Sequence, residues 1–237
     1  MVADKVEVFT RRAGESHGWV WTSTGKGAFT VAEAPDAARG ARIVLHMKED
    51  AIEYLEPQRL RTVVKTYSDH IALPVILDAI AGETEAKEET LNAASALWMR
   101  PKSEITSEQY KEFYHHVAHA FDEPWHTLHF RAEGAIEYTA LMFIPGAKPF
   151  DLFNPDRKSH VKLYVNRVFI SDELDGLMPR YLRFVRGVVD SSDLPLNISR
   201  EMLQDNPLLK KIQSGLVKRL IKDLKDRADK QIGRAHV

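Results

Sequence analysis

The sequence predicts a mixed α/β fold in which strands and amphipathic helices pack in layers. Three stretches of the chain predict it. Residues 1–55 show the period-two alternation of half-buried strands, and residues 56–205 mix strand and helix patterns. Residues 206–230 have apolar side chains spaced by three or four, as in an amphipathic helix. We therefore expect a β-rich start, a central α/β domain and a closing helix.

The composition is that of an ordinary soluble globular protein, with 44% hydrophobic and 28% charged residues. A formal net charge of −1 predicts no bulk attraction to nucleic acid or to anionic membranes. The absence of cysteine excludes disulfides and thiolate chemistry, and it fits a reducing cytoplasm. No apolar run reaches the ~18 residues that a membrane span needs.

The first fifty residues contain four short apolar runs, and in all but the second the apolar side chains alternate with polar ones. The runs include, in order, Val6, Trp21, Phe29 and Ile43. This alternation is typical of strands with one buried face. Between the second and third runs, Gly25-Lys26-Gly27 lacks the spacing of a phosphate-binding Walker loop, and no helix pattern follows it. We interpret it as a hairpin turn.

The central domain is expected to begin with an amphipathic helix that packs onto a sheet. Pro57 suits the first helical position, and apolar side chains follow from Leu60 to Tyr67 at helical spacing. The run Ile71–Leu77 has the pattern of a strand, and Pro74 favours an edge position. The acidic residues from Glu83 to Glu89 are interpreted as a solvated loop.

Trp98 ends the next apolar run, and two interpretations of it stay open. A tryptophan beside a loop is either part of the core or an exposed anchor for a partner protein.

The following helix is predicted to begin at a capping box, in which Gln109 follows Thr106 by three residues. His115 and His119 are four residues apart on this helix, a spacing that can bind zinc. No third ligand is evident in the sequence, so we predict no metal site.

Three further strands are expected over Thr127–Arg131, Ile136–Ile144 and Val161–Ile170. A loop at residues 149–155 precedes the last strand. It is bracketed by prolines and is unusually apolar, because it contains Phe150 and Phe153. These rings either tuck under an edge of the sheet or contact another protein.

The stretch Leu194–Gln204 carries the strongest candidate site. The strand-like run Phe184–Val189 leads into it through a polar turn, and Ser199 stands where a helix N-cap would lie. Arg200 and Gln204 are four residues apart, which places them on one helical face. A guanidinium and an amide presented together suit a phosphate group, which accepts planar, bidentate donors.

The closing helix is predicted to start at Asn206 and Pro207, an N-cap and first-position pair. Residues 210–230 carry eight lysines or arginines against three aspartates. Such a charge run usually forms a solvated helix face. Nucleic-acid binding is a weaker alternative, because no aromatic residues lie among the charges.

The run from Tyr181 to Glu201 reads Tyr-Leu-Arg-Phe-Val-Arg-Gly-Val-Val-Asp-Ser-Ser-Asp-Leu-Pro-Leu-Asn-Ile-Ser-Arg-Glu, and it closely resembles the ninety-kilodalton heat-shock chaperone family. Two further stretches resemble that family. They are Lys-Pro-Phe-Asp-Leu-Phe at residues 148–153 and Lys-Leu-Tyr-Val-Asn-Arg-Val-Phe-Ile at residues 162–170.

The resemblance implies three regions. Residues 1–55 correspond to the end of an incomplete nucleotide-binding domain, 56–205 to an αβα middle domain, and 206–230 to the start of a small helical segment. A fourth region, residues 231–237, breaks the charged helical pattern that precedes it, and we interpret it as an artificial tail. The family's glycine-rich lid, catalytic glutamate and magnesium-binding asparagine have no match in this sequence. Ala41 stands where the family commonly has a threonine that helps to hold adenine. We therefore expect no nucleotide pocket in residues 1–50.

The resemblance also implies an activity for the longer protein. The family is homodimeric, binds ATP with Mg²⁺ in its N-terminal domain and assists the folding of client proteins. Arg200 corresponds to the middle-domain arginine that reaches the γ-phosphate of ATP. Gln204 and Asn197 correspond to residues that support the phosphate or position the loop.

Two functions of different class therefore stay open for this chain. The first is a segment that completes the ATPase site of a neighbouring domain. The second is a non-enzymatic module that binds clients or co-chaperones. The resemblance implies that it does so through Trp98, in a matching Leu-Trp-x-Arg context, and through the loop that carries Phe150 and Phe153.

Overall fold

The structure is a computed structural model that describes residues 2–78, 88–149, 159–174, 176–195 and 206–232. The chain divides into two compact units, residues 1–62 and 63–237, which are described separately. The ranges predicted for the four regions from the sequence stay predictions.

The first unit is built on a four-stranded antiparallel sheet with strand order β3-β2-β1-β4. Its strands are β1 (Ala3–Arg11), β2 (Trp19–Ser23), β3 (Phe29–Glu33) and β4 (Gly40–Met47). The predicted hairpin turn at Gly25-Lys26-Gly27 is confirmed, since it joins the paired strands β2 and β3. Both glycines of that turn have positive φ, a conformation that glycine adopts without steric cost.

One face of this sheet is apolar because the strand register aligns the alternating side chains. Val8 lies opposite Trp21 on one side and Ile43 on the other, and Trp21 lies opposite Val31. Phe29, at the end of the same face, is 65% exposed. The other face is polar at its centre, where Glu7 pairs with Lys5 and His46.

Helix α1 (Pro57–Tyr67) begins at the proline predicted to start it. The strand predicted over Ile71–Leu77 is mostly a loop, and only β5 (Ile76–Leu77) pairs, with β6 (Glu89–Thr90). Asn92 explains the difference. Its carbonyl oxygen accepts from the backbone of Val75, and its amide donates to the carbonyls of Ser68 and Leu73. One buried side chain thus provides the hydrogen bonds that a strand ladder would otherwise supply.

The second unit contains a five-stranded mixed sheet with strand order β10-β9-β11-β8-β7. Only β9 and β11 run parallel within it. The strands are β7 (Pro124–Ala132), β8 (Tyr138–Pro145), β9 (His160–Val165), β10 (Val168–Ser171) and β11 (Arg186–Ser191).

The prediction of a single strand over Val161–Ile170 is wrong, because the chain reverses direction in the middle of this range. Asn166 and Arg167 have φ angles of 49° and 68° and form the turn between β9 and β10. A two-residue hairpin turn commonly needs positive φ at both positions, and Asn-Gly is its usual sequence. Because arginine stands at the second position in place of glycine, the sequence does not indicate this turn.

Helices cover both faces of this sheet and complete the predicted αβα layers. Helix α2 (Ser107–Ala118) buries Tyr114 and Val117 against Phe143 and Val188 of the sheet. Helix α3 (Pro207–Ile232) lies on the opposite face and packs against strand residues such as Met142. Its buried side chains are those predicted from helical spacing: Leu209, Ile212, Leu216 and Leu220.

Both predicted helix starts are confirmed. The backbone N–H of Gln109 donates to the Thr106 hydroxyl over 3.3 Å, and the Gln109 side chain accepts from the Thr106 N–H over 3.1 Å. The Asn206 side chain accepts from the N–H of Leu208 over 2.9 Å at the start of α3. Each cap satisfies backbone donors that the first helical turn leaves without partners.

Gly187 lies in the central strand β11 with φ at 137°, and a Cβ atom there would lie 2.2 Å from the carbonyl oxygen of Leu141. We expect Gly187→Ala to lower the free energy of unfolding by roughly 3 kcal/mol or more, measured by urea denaturation. Gly134→Ala is the matched control, because Gly134 also has positive φ but open space around its Cα. It should cost only about 1 kcal/mol. Equal losses would contradict the steric explanation.

Candidate functional site

The structure describes one of the six predicted site residues, Trp98. The other five lie outside the described residues, in segments 196–205 and 150–158. They are Asn197, Arg200, Gln204, Phe150 and Phe153. The described geometry is therefore that of Trp98 and of the chain that leads into and out of those two segments.

Trp98 belongs to the core, which decides between the two interpretations of its position. It lies in a short 3-10 turn, Leu97–Met99, and only 1% of it is exposed. Its ring packs against Tyr164 at 4.8 Å and against His70 at 4.7 Å between ring centroids. Its indole N–H donates to Oδ2 of Asp190 over 2.8 Å. The contact between Trp98 and client proteins stays a prediction.

Asp190 is a buried carboxylate whose partners are neutral. It is 6% exposed, and its second oxygen accepts from the backbone N–H of Arg167 over 3.2 Å. No lysine or arginine side chain pairs with it in the described part of the chain. Hydrogen bonds to the charged form offset part of the cost of burying a carboxylate. Asp190 therefore depends on Trp98 and on the β9–β10 turn.

The chain beyond β11 is fixed by a second group of hydrogen bonds. The Ser191 hydroxyl donates to the carbonyl of Glu137 over 2.9 Å, and the carboxylate of Asp193 accepts from the N–H of Glu137 over 2.7 Å. Leu194 follows and is buried in the core under α3. Segment 196–205 thus starts from a chain that is bonded to the sheet.

The chain after segment 196–205 is fixed as well. Asn206 caps α3, and Leu209 is buried against the same core that holds Leu194. Both ends of the segment predicted to carry Arg200 are therefore attached to one unit. A short segment held at both ends on packed secondary structure suits the precise presentation of a side chain.

Asp122 has a similar role before segment 150–158. Its carboxylate accepts from the backbone N–H groups of Gly146 and Ala147 and from the hydroxyl of Tyr114. Burial acts to raise the pKa of Asp122, but these donors together hold that pKa below its usual range. The chain that leaves β8 toward the predicted client loop is thus tied to α2.

His129 lies beneath Trp98 and connects it to α2. Its Nε2 is 2.8 Å from the carbonyl oxygen of Trp98, and its Nδ1 is 2.7 Å from the hydroxyl of Tyr110. Because a carbonyl oxygen can only accept, Nε2 carries the proton and Nδ1 accepts from Tyr110. Burial lowers the pKa of His129, since it disfavours the charged imidazolium.

Sequence reasoning missed Asp190, Asp122 and His129. The sequence pattern places Asp190 in a polar turn after a strand that ends at Val189, whereas β11 runs to Ser191. A carboxylate directly after a run of buried valines was the available signal. It did not identify the partner, because Trp98 lies 92 residues earlier in the chain.

The pair His115 and His119 does not form a ligand set with other side chains. Nε2 of His115 is 3.0 Å from the carbonyl oxygen of Asp122, and His119 ends α2 in a left-handed conformation. Within the described ranges, no group of three or more potential metal ligands lies close together.

Comparison with known proteins identifies the family. A family model described as Hsp90 protein matches residues 78–232. The chain belongs to the Hsp90 family. This Hsp90-family chain is 67% identical over 228 residues to the chaperone protein HtpG of Rhodospirillum rubrum. The matched residues are 96% of the chain and 36% of that relative.

Two further relatives give the same result. The chain is 63% identical over 234 residues to the chaperone protein HtpG of Paramagnetospirillum magneticum, covering 99% of the chain and 37% of the relative. It is 54% identical over 230 residues to the chaperone protein HtpG of Roseobacter denitrificans, with 97% and 36% covered. The chain thus spans little more than a third of the length of these relatives. In the described ranges, no helix is both long and apolar enough to cross a bilayer.

Removing the indole N–H of Trp98 should destabilise the second unit. We expect Trp98→Phe to lower the free energy of unfolding by roughly 3 kcal/mol, because the buried carboxylate of Asp190 loses one of its two donors. Chemical denaturation measures the loss. Trp125→Phe is the control, since Trp125 is 44% exposed and should change stability little. Similar small changes in both variants would contradict the importance of the Trp98–Asp190 bond.

The stability of the chain should fall as the pH drops through the ordinary range of histidine titration. The pKa of His129 is lower in the folded state than in the unfolded chain, so stability is fully present above the unfolded value and is lost below it. Comparison of urea denaturation at pH 7.5 and 5.5 measures this. His129→Gln should reduce the pH-dependent part of the loss.

The control for this pH dependence is His119→Asn, because His119 is exposed and asparagine tolerates its left-handed conformation. The control should keep the pH dependence of the unchanged chain. An unchanged pH dependence in His129→Gln would show that burial of this imidazole does not cause the loss.

Proposed function

We propose that this chain is a segment of an ATP-dependent molecular chaperone that assists the folding of client proteins. Membership of the Hsp90 family supports the chaperone function. The attachment of segment 196–205 at both ends is the observation that supports a catalytic contribution. In this proposal the segment supplies a side chain to an ATP site on another domain.

Arg200 is the proposed contributor. Its guanidinium reaches the γ-phosphate of ATP held by the N-terminal nucleotide-binding domain, in the manner of an arginine finger. There it neutralises charge that develops in the transition state, an effect that requires a site from which water is excluded. Gln204 and Asn197 support the phosphate or hold the loop.

The scaffold supports this proposal energetically. A finger contributes to catalysis only when its position is fixed before the reaction, because a loosely held side chain must lose conformational freedom at each turnover. Ser191, Asp193 and Leu194 fix the chain on one side, and Asn206 fixes it on the other. The loss of conformational freedom at both ends of the segment is thus offset when the chain folds, and not at each turnover.

The partners in this proposal follow from the family. They are the N-terminal nucleotide-binding domain with its ATP and Mg²⁺, a second copy of the longer protein in a homodimer, and unfolded or partly folded clients. Phe150 and Phe153 make the first contact with clients. A direct contact by Trp98 first requires that its hydrogen bond to Asp190 breaks.

The arginine is tested in a full-length HtpG that carries this segment. Arg200→Ala should lower kcat for ATP hydrolysis by ~10³-fold and leave the affinity for ATP nearly unchanged, because the side chain acts in the transition state. Steady-state turnover and equilibrium nucleotide binding measure the two quantities. The chain by itself should hydrolyse no ATP above background.

Arg180→Ala is the control for this experiment, because Arg180 is an exposed arginine outside the segment. It should leave both quantities unchanged. A large loss of ATP affinity in Arg200→Ala would instead make Arg200 a ground-state ligand or a folding residue. Unchanged turnover would favour the alternative function, a non-enzymatic module that binds clients or co-chaperones.

Client binding is tested with the double variant Phe150→Ser and Phe153→Ser. It should weaken capture of an unfolded client, measured by suppression of that client's aggregation, because two apolar contacts are lost. The melting temperature should stay the same. A lower melting temperature with the same loss of capture would mean that both rings belong to the core.

A further inference from the structure

The turn between β9 and β10 presents an arginine in a conformation that glycine would adopt at lower cost. Arg167 has φ at 68°, a left-handed value that L-residues with long side chains rarely take. Such conformations persist where the surroundings fix them, and they occur preferentially at functional sites. Asp190 and the carbonyl of Ser191 fix this turn by accepting from the backbone of Arg167 and Asn166.

Arg167 lines a cavity of about 210 Å³ at the end of β11. Its neighbours there include Met99, Arg131, Glu137, Asp190 and Ser192. Met99 is 42% exposed, so the cavity has an apolar side that solvent reaches. A cavity of this size accommodates one side chain of a partner rather than a large cofactor.

Among the described residues around the cavity, one cation has no charged or hydrogen-bonding partner. Arg131 pairs with Glu133 and Glu137. Asp190 has a hydrogen bond at each carboxylate oxygen. The guanidinium of Arg167 has no hydrogen bond or ion pair with any residue in the described ranges. A guanidinium that has no partner in the described part of the chain fits a ligand with a single negative charge.

A carboxylate fits this cavity better than a phosphate does. A carboxylate matches the fork of a guanidinium with two parallel hydrogen bonds and brings one negative charge. Asp190 and Glu137 repel either ligand, but a phosphate brings more negative charge and is repelled more strongly. The exposed side chain of Met99 adds a place for an apolar neighbour of the acidic group.

We propose that the cavity between β8, β11 and the β9–β10 turn binds one acidic side chain of a partner polypeptide. Arg167 receives the carboxylate, and Met99 contacts an adjacent apolar residue of the same segment. Asp190 acts from beneath as a positioning residue, because it holds the turn that carries Arg167. The proposal uses neither Arg200 nor segment 150–158, so its failure leaves the proposed chaperone function untouched.

The experiment titrates this chain with short peptides and follows the Nε–Hε resonance of Arg167 by NMR. The probes are acetyl-Gly-Glu-Leu-amide, acetyl-Gly-Gln-Leu-amide and inorganic phosphate. We expect saturable binding of the glutamate peptide, with the glutamine peptide and phosphate at least roughly 10-fold weaker. Equal binding of the glutamine peptide or of phosphate would overturn the proposal, and so would absence of saturation with the glutamate peptide.

Two variants separate binding from folding. Arg167→Gly lacks the observed resonance, so its binding is followed by calorimetric titration. It should abolish binding of the glutamate peptide while the melting temperature stays the same or rises, because glycine relieves the left-handed conformation. Arg180→Gln, at an exposed arginine outside the cavity, should leave binding unchanged. Peptide binding that survives Arg167→Gly, or that falls equally in Arg180→Gln, would overturn the assignment to this cavity.

Discussion

The hydrogen bond from the indole of Trp98 to the carboxylate of Asp190 constrains most of the second unit. It crosses the layer between α2 and the sheet, and it joins residues that are 92 positions apart. A carboxylate exposed by only 6% is costly to bury, and here neutral N–H groups satisfy it. The Leu97–Met99 turn, the β9–β10 turn and the end of β11 therefore depend on one another. Loss of any one leaves a buried charge with too few donors.

The features that the sequence predicted well are those that depend on neighbouring residues. The capping box at Thr106, the Asn206 cap and the apolar stripe of α3 each need only a few adjacent positions. The failures have either a distant cause or a missing local signal. The loop before β5 depends on Asn92, which is 17 residues away from Val75, and the β9–β10 turn lacks the glycine that usually marks it. The burial of Trp98 depends on Asp190, which no local pattern could reveal.

Asp122, in the connection between α2 and β7, and Asp190, in β11, have similar hydrogen-bond partners. Each carboxylate accepts hydrogen bonds from the backbone of a connecting turn and one from an aromatic side chain, Tyr114 or Trp98. Both aromatic residues belong to the cluster between α2 and the sheet. A single buried cluster thus anchors the approaches to segments 150–158 and 196–205. The family resemblance implies functions for those segments. The hydrogen bonds that fix the chain beside them join distant residues, so only the structure reveals them.

The position of β11 determines the order in which this unit can assemble. Along the described part of the chain it is the last strand, and it is the central strand of the five-stranded sheet, with β9 and β8 on its two sides. During synthesis, the β7–β8 and β9–β10 hairpins emerge first and can each pair locally. Neither pair gains its shared neighbour until residue 191 has left the ribosome, and the burial of Leu209 to Leu220 comes later still. Until then the edges of β8 and β9 that face β11 lack their partner strand. This unit therefore passes through an intermediate with two unpaired strand edges, and such edges favour aggregation.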